Sequence, residues 1–189
     1  PYFHLIKKTI NMKQVIPIIL GLCFTLMANA QKKDLTHFYF TETFLEGFTK
    51  QAPTAEQLKD CDLIYQSNDK IAQIRYSFRP DMKDVAPASV ETYATALFLN
   101  NSASLNPNNL KMMQHNPESV KGDYAGTSGY FALFETNKNF SAEYPVCLAF
   151  YIYKEKVGAF VIYLLAKSQE DIGKSNYAQA LGGNMIKFK

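Results

Sequence analysis

Arg75, with Gln73 and Ser77 two residues to either side, is the constellation in this sequence best suited to hold a ligand. Residues two apart on a strand project to the same face, so a guanidinium, an amide and a hydroxyl point together. A guanidinium is a planar fork of donors that matches a carboxylate or a phosphate. The chemistry implied is therefore the binding of an anionic or polar group.

His115, in Gln114-His115-Asn116-Pro117, is the second candidate and closes a predicted strand. A general base or metal ligand needs partners at hydrogen-bond reach, and the spacing supplies none. His37 lies near the start of the folded part, in a weaker position still. The close carboxylate pairs Asp60/Asp62, Asp81/Asp84 and Glu170/Asp171 fall at turns and at a helix start, where capping or solvated acids are expected. Gly126-Thr127-Ser128-Gly129 lacks the spacing of a nucleophile elbow and reads as turn chemistry. Metalloprotease, phosphate-loop, dinucleotide and calcium-loop patterns are absent. No catalytic residue, cofactor or metal is expected on these grounds.

Outside the N-terminal segment the cysteines are Cys61 and Cys147. An oxidising compartment would permit a bridge between them. Cys147 stands inside an apolar run, however, which suits a free thiol packed as a small hydrophobe. Aromatic residues are abundant, with 14 Phe and 12 Tyr but no Trp. Phe38, Tyr39, Phe40, Tyr124, Tyr130, Tyr151, Tyr153 and Tyr163 can line an apolar pocket, form a partner-facing patch, or fill the core.

These side chains need a scaffold, and its centre is the segment over residues 145–167. Two apolar runs, 146–153 and 157–166, flank Lys154-Glu155-Lys156. Both are rich in Val, Ile, Phe and Tyr, as strands are. Neither alternates, so both faces are expected to be covered. The charges between them exclude a membrane span, which needs roughly 20 uninterrupted apolar residues, and mark a hairpin tip.

Around this hairpin, residues 62–66 and 70–78 read as two strands joined at Ser67-Asn68-Asp69. In the second, Ala72, Ile74, Tyr76 and Phe78 alternate with Gln73, Arg75 and Ser77, which predicts a strand with the second set facing solvent. Phe44, Leu45 and Phe48 share a helical face, predicting a helix over 41–50. Thr54-Ala55-Glu56-Gln57 has the form of a capping box. After Ser89, the spacing of Val90, Tyr93, Ala94, Leu97 and Phe98 predicts one face of a helix. Further strands are expected over 110–115 and 124–135. Tyr177, Ala180, Leu181, Met185 and Phe188 predict a C-terminal helix beginning at Ser168. The resulting fold class is α+β: an antiparallel sheet, made of a hairpin and a C-terminal three-strand meander, with helices packed on it and a C-terminal helix.

Residues 1–30 stand apart. Met12-Lys13 precedes an apolar run from Val15 to Met27 and then Ala28-Asn29-Ala30, the pattern of a cleaved signal peptide with the cut after Ala30. Pro1 to Asn11 read as an upstream extension. The domain expected is 31–189, and it retains no integral membrane segment. The N-terminal segment carries Lys7, Lys8 and Lys13 and no acid, so the remainder holds 17 basic and 17 acidic residues. With only Arg75 and Arg79 as arginines there, and no basic cluster, nucleic acid is not an expected partner.

The reading is an exported protein, periplasmic or secreted, whose non-catalytic domain binds a protein or a small ligand. The alternatives are an exported hydrolase using His115 with nearby acids, and a carrier of an apolar ligand in an aromatic-lined cavity.

Overall fold

The two apolar runs of the central segment pair as a hairpin in the middle of a seven-stranded antiparallel sheet. In chain order the strands are β1 (Phe38–Phe40), β2 (Phe48–Gln51), β3 (Leu63–Ser67), β4 (Ala72–Arg79), β5 (Lys111–Gln114), β6 (Ser128–Glu135), β7 (Val146–Lys154), β8 (Gly158–Ala166) and β9 (Ile186–Phe188). Among the described residues the α-helices with both ends described are α1 (Val90–Asn101), α2 (Pro117–Tyr124) and α3 (Gln169–Ile172), and Tyr177 is also helical. The sheet order is β2-β3-β4-β8-β7-β6-β5, while β1 and β9 form a separate two-stranded ribbon. The fold is thus mixed α and β, with one large antiparallel sheet and few helices.

The computed structural model describes residues 35–189, apart from 44, 175, 176 and 178–180. The leader expected over 1–30 and its cleavage after Ala30 lie outside the described residues. No helix among the described residues is long and apolar enough to cross a membrane.

β8 is the fourth of the seven strands, and all nine of its residues are buried. That is the reason its sequence does not alternate. One sheet face packs Ile74, Tyr76, Phe78, Ile162 and Leu164 against the β1–β9 ribbon and α2. The other packs Ala149, Tyr151, Val161 and Tyr163 against Val90, Ala94 and Phe98 of α1. The edge strands β2 and β5 carry Lys50 and Lys111, charges that discourage pairing with another chain.

Buried phenols tie loops to this framework. The Tyr124 hydroxyl donates to the Leu181 carbonyl at 2.6 Å and that of Tyr153 to the Val85 carbonyl at 2.6 Å. Most of the aromatic set is therefore core, although Tyr39 is exposed.

The structure corrects the expected elements in four places. No helix forms over 41–50, of which 44 lies outside the described residues; the chain turns and enters β2. Packing overrides the local pattern there: the Phe40 ring stands 5.0 Å from Tyr76 and Phe48 lies 5.5 Å from Tyr177. Pro117–Tyr124, expected as loop and strand start, is helix α2. Asn116 caps it, its Oδ1 accepting from the Glu118 and Ser119 amides at 2.8 and 3.4 Å, and Pro117 opens the first turn.

The C-terminal helix begun at Ser168 breaks after Ile172, Tyr177 is helical again, and Ile186–Phe188 is a strand. The expected continuation through 175, 176 and 178–180 lies outside the described residues. β9 buries Ile186 and Phe188, exposes Lys187 and pairs with β1. Finally, Gln73, Arg75 and Ser77 do not face solvent. β4 has β3 on one side and β8 on the other, and the loop between β6 and β7 closes over its polar face.

Candidate functional site

A cavity of about 240 Å³ lies over that polar face of β4. Its floor is Gln73 and Arg75. One wall is the loop between β2 and β3, with Thr54, Gln57 and Asp60. The other is the loop between β6 and β7, with Asn139 to Tyr144.

Each wall is fixed locally. Thr54 and Gln57 form a reciprocal capping box: the Thr54 amide donates to Gln57 Oε1 at 2.9 Å, and the Gln57 amide donates to Thr54 Oγ1 at 3.3 Å. In the opposite loop, Asn137 Oδ1 accepts from the Phe140 amide at 2.8 Å, and its Nδ2 donates to the Asn100 carbonyl at 2.6 Å. Thr136 Oγ1 donates to the Tyr144 carbonyl at 2.8 Å. The loop is thereby anchored both to the end of α1 and to itself.

Arg75 is only 4 % exposed. Its Nε donates to Gln73 Oε1 at 2.6 Å and its Nη1 to the Phe140 carbonyl at 2.7 Å. The Phe140 ring centroid lies 5.0 Å from the guanidinium carbon. The network continues from Gln73 Nε2 to Gln66 Oε1 at 3.3 Å, an oxygen that also accepts from the Tyr144 hydroxyl at 2.9 Å. Among the described residues, no carboxylate lies within ion-pair distance of Arg75, and Nη2 has no hydrogen-bond partner.

Burial lowers the Arg75 pKa from its ordinary value, while the nearby thiols, Asp60 and Tyr163 act in the opposite sense. The group stays charged, because an arginine pKa starts far above neutrality. A guanidinium buried without a carboxylate partner is costly. It is also preorganised for an anion, since two of its nitrogens are already fixed in direction.

Asp60 stands at the rim. Partial loss of solvent holds its carboxyl above the ordinary range, with Arg75 pulling it down. Glu56 and Glu143 share this rim and are exposed.

No protein-family model matches the sequence, and no curated protein matches it.

The sequence-predicted residues divide between the faces of the sheet. Gln73 and Arg75 meet at the cavity. Ser77 shares their face and is buried, but it is not among the residues lining the cavity. His115 is on the other face, half-buried, its ring 5.9 Å from Tyr124 and 6.0 Å from both Phe131 and Phe150. Its Nδ1 lies 3.4 Å from the Asn116 carbonyl, and no described acid or nucleophile is hydrogen-bonded to it. Cys61 and Cys147 are both buried and not bridged to one another; Cys61 Sγ donates to the Gln57 carbonyl at 3.2 Å. Burial pushes the Cys147 thiol far up, out of the reactive range. Among the described residues no group of three or more His, Cys, Asp or Glu side chains could hold a metal ion.

The contributions of Asn139, Phe140 and Glu143 are not legible in the sequence, where no local pattern joins them to β4. The one advance signal was Thr54-x-x-Gln57, which marked an ordered turn without saying that it forms a wall.

Proposed function

We propose that this is an exported, non-catalytic binding domain whose ligand presents an anionic group to Arg75. The observation that carries this reading is the unpaired guanidinium of Arg75, nine-tenths buried and set in the floor of a cavity between two fixed loops. An anion there would take the donors of Nη2, which no described side chain or carbonyl accepts. The export element of the reading rests on the charged, apolar and small-residue pattern of residues 12–30. The binding element is favoured over a hydrolase because His115 sits among aromatic rings across the sheet from Arg75.

Titration of the full chain with acetate and with inorganic phosphate, followed by proton–nitrogen NMR, tests the binding element. The Arg75 Nε–H signal and the Gln73 and Phe140 amides are expected to shift saturably with at least one anion. Arg75→Met abolishes the response without unfolding the sheet. Shifts scattered over surface lysines, with Arg75 unmoved, would remove the proposal.

A further inference from the structure

Resting on the anion-binding reading, we infer that the ligand is a small zwitterion, its carboxylate taken by Arg75 and its ammonium group by the acidic rim formed by Asp60, Glu56 and Glu143. The observation is the mismatch between floor and rim. One guanidinium lines the cavity floor, and three carboxylates line the same cavity nearer solvent. The lining is therefore net negative although its one buried charge is positive.

A phosphate or sulfate dianion would gain from Arg75 but be repelled by three acids on its way in. A monocation would find the acids but leave Arg75 unpaired. A molecule with both charges satisfies both ends, and the burial order sets its direction, carboxylate inward and ammonium outward.

The recess, about 240 Å³ and open to solvent on one side, has room for an amino-acid-sized molecule. Gln73 and Asn139, which line the same cavity, supply neutral amides for its remaining polar atoms.

Calorimetric titration of the full chain compares glycine with acetate, β-alanine with propionate, and γ-aminobutyrate with butyrate. The pairs span three charge separations and differ only in the amine. At least one amino compound is expected to bind about tenfold more tightly than its partner, a ratio that shrinks with added salt. In Asp60→Asn combined with Glu143→Gln, that ratio falls toward one while the simple carboxylate binds as well or better. If simple carboxylates bind and no amino compound exceeds its partner, the zwitterion is wrong and the anion site stands. If no carboxylate of either kind binds, the zwitterion falls, and the anion site falls with it if inorganic phosphate also leaves the Arg75 Nε–H signal unmoved. The comparison in the unaltered protein does not depend on any variant folding.

Discussion

Phe140 meets Arg75 twice: its carbonyl oxygen accepts from Nη1 at 2.7 Å, and its ring centroid lies 5.0 Å from the guanidinium carbon. The same ring stands edge-on to Tyr163 at 5.0 Å. One loop residue thus links the floor of the cavity to the central strand β8. Phe140→Leu keeps the carbonyl and removes the ring contacts. It should cost about 2 kcal/mol, read as a lower urea midpoint, and it should weaken any carboxylate bound at Arg75.

Asp60 is a stability cost that the cavity imposes. Its folded-state pKa is raised, so the native state binds the proton more tightly than the unfolded chain. Ionisation therefore lowers stability as pH rises through the carboxylate range. Asp60→Asn is expected to raise the melting temperature at pH 7 and to leave it unchanged at about pH 2, where both states are protonated. A lower melting temperature at pH 7 would show that the carboxylate supports the fold.

Alkaline unfolding should follow tyrosine ionisation. Burial raises the pKa of Tyr65, Tyr76, Tyr151 and Tyr163, and carries Tyr124 to about 12. The folded pKa exceeds the unfolded value, so stability is lost as pH rises past about 10. Most of the tyrosinate absorbance near 295 nm is expected to appear in one cooperative step together with the loss of circular dichroism. A gradual rise that accounted for most of the tyrosines before unfolding would contradict the burial of these phenols.

The Tyr151 hydroxyl is buried and has no hydrogen-bond partner among the described residues. Removing it costs no hydrogen bond and ends a desolvation penalty. Tyr151→Phe should be neutral or stabilising by up to about 1 kcal/mol, whereas Tyr153→Phe, which loses a 2.6 Å bond to the Val85 carbonyl, should destabilise. Equal losses in both would place an unseen partner on Tyr151.

Gly158 closes the central hairpin with φ +130°, and a Cβ there would meet the Arg79 carbonyl oxygen at 2.5 Å. Gly158→Ala forces both a disfavoured backbone and a clash, at a cost of about 3 kcal/mol. Chemical denaturation measures this directly.

Local patterns carried far where one element's chemistry settled its own structure. The uninterrupted apolar runs around Lys154-Glu155-Lys156 determined the β7–β8 hairpin, because charges at a tip and β-branched residues beside it leave few alternatives. The apolar positions after Ser89 determined α1, though the structure leaves Tyr93 half in solvent and Ser89 makes no side-chain cap. The Asn116-Pro117-Glu118 start signal was present for α2, but the neighbouring glycines masked it.

The sequence by itself also determined that Gln73 and Arg75 share a face, since a strand has a period of two. It could not determine that the face is covered. Alternation of polar and apolar residues ordinarily marks a boundary with water. Here the polar side of β4 is roofed by a loop that arrives 65 residues later in the chain, through the bond from Arg75 to Phe140. Likewise, no local pattern could set Ile186–Phe188 beside Phe38–Phe40, a pairing of segments far apart in the sequence. Burial and long-range pairing are properties of which segments meet. Only the tertiary structure decided that Arg75 lies in a cavity and His115 across the sheet from it.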